Sequence, residues 1–345
     1  MWPPALHCHR PVQNCCMTNT VIGLDLGGTK IAAALFPEKG EPRHRQSVAL
    51  DGRMGRDVAR LLTERAATLV EAAEREGQPA AGVGVAVPGI YRSATETVWA
   101  PNIPGWDDYP LVAELRDAVP DGVSVRVDSD RACAILGEAW RGGAVGARNA
   151  VFLVVGTGIG AGILVDGHIV RGAGDAAGAI GWLALDRPYL EGYEEVGCFE
   201  YHASGAGMVA RALRLIDTDD AYDGGLGHGG VATLTGRDLF TAYDDRDPVA
   251  VHVLDEAVVY WSMAVANMVS LFNPEIIIFG GGVFGPAVRF LERIREEAMR
   301  WAQPISMRQV VLRPTQLAQD AVLYGAARLA LQLQSESTAG SSEPA

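Results

Sequence analysis

Two short stretches limit what this chain can become. Val21–Phe36, VIGLDLGGTKIAAALF, sets an apolar run, a glycine pair and a second apolar run in sequence. Val151–Val165, VFLVVGTGIGAGILV, repeats the plan, with Gly156-Thr157-Gly158 at its turn. Each reads as strand, tight glycine turn and returning strand, because Gly27-Gly28 accepts a turn that a side chain would obstruct. Such a turn leaves backbone N–H groups uncovered, and these suit phosphate oxygens. Asp25, beside the first turn, suits a magnesium ion held directly or through water. The glycine spacing excludes both a Walker A loop and a dinucleotide fingerprint. Taken alone, the first stretch fits an ordinary hairpin with a carboxylate at its edge equally well. Its return about 130 residues later implies two related domains facing a shared cleft, with one polyphosphate held between two hairpins.

Composition narrows the class. The chain has 345 residues, 48% of them hydrophobic and 21% charged, which is enough for two domains with real cores. A formal charge of −13 argues against nonspecific nucleic-acid binding. The sequence reads as having no apolar run of membrane-spanning length. Residues 1–16 lack the apolar core of a secretory signal. A soluble cytoplasmic protein, with no membrane partner, is expected by elimination. The five cysteines, an odd and low count, fit a reducing compartment without a disulfide framework. Cys8, Cys15 and Cys16 crowd near His7 and His9, which raises a metal site. Met17 followed by TNTVIGLDLGG is a natural start, however, so residues 1–16 are expected to be a disordered extension.

Between the hairpins the pattern alternates helix and strand. Gly55–Gly77 reads as a helix with an apolar stripe at Val58, Leu61, Leu62, Ala66, Leu69 and Ala73. Gly82–Pro88 reads as a buried strand, and Leu111–Ala118 as a short helix. Val123–Val127 is a strand ending in Asp128-Ser129-Asp130, with a helix after it at Ala132–Trp140. A carboxylate at such a strand end can point into a cleft, and Asp128 or Asp130 can equally cap the helix. Met208–Ile216 reads as a helix, and the Gly-rich Asp217–Gly236 as a mobile loop. Pro248–Phe272 is a long helix stopped by Asn273-Pro274. Ile276–Phe279, Pro286–Trp301, Val310–Leu312 and Asp320–Leu333 follow as strand, helix, strand and helix.

These residues carry a family resemblance. DLGGTK at Asp25–Lys30 and GTGIGAG at Gly156–Gly162 resemble the two phosphate motifs of the ROK family of sugar kinases. APNIPGW at Ala100–Trp106, GCFEYHASG at Gly197–Gly205 and NPEIIIFGGG at Asn273–Gly282 resemble further family segments, in family order. The resemblance covers about residues 20–333. It implies an α/β, two-domain, ribonuclease-H-like fold of the actin-like ATPase superfamily, with the active site in the interdomain cleft. The smaller domain is expected at 17–128 plus 315–333, the larger at 129–314, and a disordered tail at 334–345.

The resemblance also implies roles. Asp130 is the expected catalytic base, with Asn102, Ser129, Glu200 and Trp182 beside the acceptor. Gly27, Gly28, Thr29, Thr157 and Gly158 would hold phosphates, with Lys30 close by. Gly281 and Gly282 would let the adenosine lie on the backbone, and Asp25 would sit near magnesium. ATP and a small polyol are the implied ligands, and a homodimer the implied assembly. Some family members are repressors with an added helix-turn-helix domain. Only 24 residues precede Asp25, too few for that domain, and the acidic charge agrees, so no nucleic-acid partner is expected.

Three departures from the family pattern bear on the acceptor. Ser129-Asp130-Arg131-Ala132 stands where the family has NDAN, so both Asn positions are lost. Ala179-Ile180-Gly181-Trp182 stands where it has Glu-Ile-Gly-His, whose Glu and His contact sugar hydroxyls. Glu191–Cys198 keeps one cysteine of the CxCGxxGC zinc motif, which excludes zinc on those ligands. His202 is read as a local hydrogen-bonding residue, and Glu138 as the family's Glu. The expectation is a kinase for an altered polyol, best a C7-cyclitol phosphorylated at its hydroxymethyl group, with an amino or modified hexose as alternative. A catalytically dead sugar sensor is the reading from another class.

Overall fold

A computed structural model describes residues 20–39, 41–227 and 234–339. The expectations for residues 1–16, for the stretch 228–233 of the Gly-rich loop and for 340–345 lie outside the described residues.

The first hairpin forms as the sequence implies. β1 (Thr20–Leu26) pairs antiparallel with β2 (Lys30–Pro37), with Leu26 opposite Ile31 at the turn. β3 (Arg43–Ala49) continues antiparallel on β2. Helix α1 (Gly55–Arg75) leads to β4 (Ala80–Val87), which runs parallel to β1. The hairpin of β5 (Ile90–Arg92) and β6 (Thr97–Trp99) and helix α2 (Leu111–Ala118) follow. β7 (Ser124–Ser129) then joins parallel to β4, giving the order β3-β2-β1-β4-β7.

After helix α3 (Asp130–Arg141) the plan repeats. β8 (Ala150–Val155), β9 (Ile159–Val165) and β10 (His168–Ile169) form an antiparallel meander. A helical region intervenes: α4 (Tyr193–Val196), α5 (Cys198–Ala203), α6 (Gly205–Thr218), α7 (Gly236–Asp244) and α8 (Pro248–Phe272). β11 (Ile276–Gly280) is parallel to β8. Helices α9 (Leu291–Trp301) and α10 (Pro304–Gln309) lead to β12 (Val311–Pro314), parallel to β11. The order β10-β9-β8-β11-β12 is the first sheet over again: third, second, first, fourth, fifth. Central strands buried on both faces explain why β1, β4, β8 and β11 are near-continuous apolar runs.

Each sheet has its own core. The α1 stripe packs with Ile22, Leu24, Val83 and Val85 of the first sheet. The second core gathers on α8, where Val253, Ala257, Trp261, Val265 and Met268 are buried. By length and composition α8 could span a membrane, contrary to the reading that no run is long enough. Its burial against β8 and β11 residues gives the apolar sequence an internal cause.

The last helix, α11 (Ala321–Ala339), returns to the first sheet and crosses α3. The crossing is as close as backbones allow. A Cβ on Gly325 would overlap the Cys133 carbonyl, and one on Gly137 the Ala321 carbonyl. Three expectations are corrected. Pro286–Phe290 forms a 3-10 turn ahead of α9 rather than its first turn. The C-terminal helix continues through residues 334–339, which were expected to be disordered. The loop expected to end at Gly236 gives way there to α7, begun by a Thr235–Asp238 capping box.

Candidate active site

The first glycine turn is closed by Gly27 N–H donating to Lys30 O at 3.0 Å. Gly28 and Thr29 are exposed at its tip. A Cβ on Gly28 would stand 3.7 Å from Asn102 Nδ2, so the Ala100–Trp106 loop lies beside the turn. That loop is anchored by Trp106, whose Nε1 donates to Gly55 O at 3.0 Å and whose ring stacks on Tyr109. Trp106 thus fixes the loop that carries Asn102. Asp25 is next to last in β1 and largely buried. Burial and then the charge of Asp130 push its pKa up to about 7, against the pull of Lys30. Lys30 itself is exposed at the start of β2.

Asp130 opens α3, where the N-terminal end of the helix favours a carboxylate. Its Oδ1 accepts the Arg131 N–H at 2.7 Å. Burial raises its pKa, opposed by the charge and the N–H of Arg131. The helix cap is neither Asp128 nor Asp130. Ser129 Oγ accepts the Ala132 N–H at 3.3 Å, so the Ser129 hydroxyl, expected beside the acceptor, is buried and occupied as a cap. Asp128 is held instead by Arg171, and burial raises its pKa against that pairing.

The second turn is tied from two sides. Gly156 N–H donates to Gly158 O at 2.9 Å, and Gly205 N–H to Gly156 O at 2.8 Å. Glu200 Oε2 accepts the Ile159 N–H at 2.6 Å. A Cβ on Gly158 or Gly181 would stand within 2.9 Å of the Glu200 carboxylate. Glu200 therefore sits between the phosphate-type turn and the 3-10 turn Ile180–Trp182, and burial raises its pKa. Beside it opens a cleft of about 550 Å³ lined by Gly156, Thr157, Gly205, Arg237, Phe240 and Gly282. That size lies within the range of ligand sites. Gly281, at φ +87°, passes under the β8 strand end, where a Cβ would overlap the Val155 carbonyl.

Trp182 is 55% exposed, so its indole is available to a ligand rather than spent on packing. His202 hydrogen-bonds Tyr193 Oη and stacks on Tyr260 at 4.4 Å, a local role as expected. Among the described residues no group of three His, Cys, Asp or Glu side chains is arranged for a metal. Two long-range ties escaped sequence reasoning, although Glu138 itself was read as the family's Glu. Fully buried Glu138 accepts N–H bonds from Gly143, Gln316 and Leu317 and the Thr315 hydroxyl, tying α3 to the turn after β12. Arg171 reaches Asp128 from the second sheet. Neither has a local signature, because both partners lie far away in sequence.

A duplicated five-stranded plan, crossed by a helix from each copy and carrying a glycine turn in each, defines the actin-like ATPase fold with its ribonuclease-H-like domains. The model of the ROK family matches residues 21–333, and the chain belongs to that family. It is 30% identical to a glucokinase of Halalkalibacterium halodurans, over 92% of this chain and 97% of that one. The crystal structure of a ROK hexokinase from Thermus thermophilus superposes with a TM-score of 0.74 at 31% identity, covering 92% of this chain and 99% of that one. A ROK glucokinase from Streptomyces griseus, solved with glucose and AMPPNP, gives 0.72 at 31%, covering 91% and 100%.

Proposed function

We propose that this chain transfers the γ-phosphoryl group of ATP to the primary hydroxyl of a polyol altered on one side relative to glucose, a C7-cyclitol of the valiolone type. The chain is an ATP-dependent carbohydrate kinase. The finer reading rests on one observation: the turn beside Glu200 presents exposed Ala179 and Trp182 where the family pattern has Glu and His. An acceptor that keeps its hydroxymethyl group but lacks the matching hydroxyl pattern fits an indole better than hexose hydroxyls do.

Asp130 accepts the proton of the acceptor hydroxyl as that oxygen attacks the γ-phosphoryl group. Its raised pKa brings its basicity closer to neutral pH, which suits a general base. Thr157 and Gly282, which line the 550 Å³ cleft, hold the nucleotide, with Gly158 on the same turn as Thr157 and Gly281 against the Val155 carbonyl. Gly27, Gly28 and Thr29 offer N–H groups to the phosphate that moves. Asn102 and Glu200 orient the acceptor, and Ser129 sets the first turn of α3. The buried charge of Asp25 beside Asp130 calls for a cation, so it fits magnesium directly or through water. Magnesium, when bound, neutralises phosphate charge. Positioning and charge carry such transfers. The enzyme works in the cytoplasm as a homodimer.

The test is coupled ATP turnover on glucose, mannose, N-acetylated hexosamines, an amino hexose and a valiolone-type cyclitol, with Asp130→Ala as control. Turnover on the cyclitol and not on glucose is expected. Preference for glucose overturns the reading of Ala179 and Trp182, and preference for the amino hexose selects a modified hexose instead. Silence on all acceptors, with melting shifts on sugar binding, would make the chain a sensor.

A further inference from the structure

Beside Asp130 a pair of contacts ties the loop after the second sheet's edge strand to the first sheet's side. Asp128 is buried near the end of β7, an edge strand of the first sheet. Arg171 follows β10, an edge strand of the second. Arg171 Nε and Nη2 donate to Asp128 Oδ2 at 3.0 and 2.6 Å, while Asp128 Oδ1 accepts the Ser129 N–H at 2.8 Å. Four residues on, Asp175 accepts the Ser93 N–H at 2.9 Å and the Ser93 hydroxyl at 3.0 Å. Ser93 lies between β5 and β6, on the first sheet's side. Asp175 holds φ +55°, a left-handed backbone that a non-glycine residue adopts at a cost. Ala177 N–H donates to Arg171 O at 3.0 Å and closes the loop between the two points. The loop ends at the Ala179–Trp182 turn. Between Asp128, Ser129, Arg171 and Asp175 is a cavity of about 10 Å³, room for about one water.

We propose that the Asp128–Arg171 and Ser93–Asp175 contacts form a two-point clasp that holds the acceptor turn at a fixed distance from Asp130 and excludes water from the reacting phosphoryl group. The four are positioning residues. The clasp rests on the reading of Asp130 as the base. Its geometry explains why one segment carries both an ion pair and a strained, gripped Asp. Asp128 lies two residues before Asp130, across the junction of β7 and α3, and Arg171 lies eight before Ala179 on the loop that ends in the acceptor turn. A rotation of one sheet against the other would pull both contacts at once. It would also leave the buried Asp128 carboxylate unpaired, so the clasped arrangement is favoured over a half-open one.

The test uses the full chain with Arg171→Met, Arg171→Lys and Ser93→Ala. Two quantities are read with the best acceptor: kcat/KM for that acceptor, and ATP hydrolysed per phosphorylated product. Arg171→Met is expected to lower acceptor kcat/KM about 100-fold, the effect of about 1 Å of misplacement, with KM for ATP little changed. ATP hydrolysed per product should rise, and Arg171→Lys should restore part of the coupling. Ser93→Ala, which removes a hydroxyl without unpairing a buried charge, should move both readouts the same way by a smaller factor. Equal loss in all parameters with unchanged coupling would overturn the clasp. Hydrogen exchange gives a second readout independent of transfer. Arg171→Met should speed exchange of the distant Ser93 amide, which Asp175 accepts. An unchanged Ser93 rate overturns the clasp even if every acceptor proves inert. Inert wild-type enzyme with coupled exchange would overturn the proposed reaction alone.

Discussion

The two sheets have one plan and two chemistries. In the first, β1 ends with a carboxylate, Asp25, before its glycine turn. In the second, β8 ends in valines, and the turn relies on Thr157 and bare backbone. Glu200 arrives there from α5 rather than from the strand. The helices that follow the fifth strands differ in the same sense. Asp130 starts α3 with its charge facing Arg131, its neighbour in the chain. Asp320, just before α11, pairs with Arg45. The first half therefore concentrates negative charge around Asp25 and Asp130, the place proposed for the proton and the metal. The second has a turn of bare backbone to which helices bring Glu200 and Arg237, beside the cleft proposed for the nucleotide. The frame is repeated, and a few residues at the strand ends set the two halves apart.

The largest effect should come from testing the two aspartates against each other. Asp130→Ala should cut phosphoryl transfer by about 10²- to 10⁴-fold, the range of a lost general base, with ATP affinity retained. Asp320→Ala should stay within about twofold, as an exposed ion pair predicts. Initial rates and nucleotide titrations decide both. Similar losses in the two variants would mean that the halves are not specialised as described.

Asp25 sharpens the difference next. Asp25→Asn should weaken magnesium-ATP binding about 10- to 100-fold, the loss of one charge-assisted contact, as calorimetry would read. The pH dependence follows from the raised pKa. The folded protein holds a proton on Asp25 between 3.8 and about 7, and the unfolded chain does not. The free protein's stability from this group is therefore full below 3.8 and declines as pH rises through about 7. Melting curves of the free enzyme should show this decline, and Asp25→Asn should flatten it. Binding near pH 7 should release about half a proton from Asp25 in the wild type, rising toward one as the pH is lowered, and none from this position in the variant. Identical pH profiles would place the charge elsewhere.

The helix crossing joins the halves, and it offers a stability measurement. Gly325→Ala puts a methyl group into the Cys133 carbonyl, which must move α3 or α11. Overpacking of this kind costs about 1–3 kcal/mol or more, so a clear drop in Tm is expected. An unchanged Tm would show that the crossing yields easily.

What was legible in the sequence was local. Both hairpins, α1 and α8 follow from apolar periodicity and glycine placement, which act within a few residues. The strand end, carboxylate and helix start around Asp130 were legible because they are adjacent in the chain. The clasp was not, since its partners are 43 and 82 residues apart and its side chains look like ordinary loop residues. Nor was the cap. Ser129 and Asp130 are both good capping residues, and only the backbone path decides that the hydroxyl is spent on Ala132. The end of the C-terminal helix was missed because Ser and Glu composition says loop while the helix already packed on the first sheet extends through it.

The smallest effect separates the two turns themselves. Thr29 and Thr157 are both exposed at glycine turns and look interchangeable. Their surroundings differ: Thr157 lines the 550 Å³ cleft with Gly282, the cleft proposed for the nucleotide, whereas Thr29 lies on the turn beside Asp25 and Asn102. Thr157→Val should therefore raise KM for ATP about tenfold with kcat nearly unchanged, since a contact made equally in ground and transition states is lost. Thr29→Val should lower kcat by a similar factor and leave KM for ATP in place, because its turn is the one proposed to hold the phosphoryl group that moves. Steady-state kinetics at saturating acceptor distinguish the two. A rise in KM for both variants would mean that the two turns grip the resting nucleotide alike, and the specialisation would then rest on the aspartates alone.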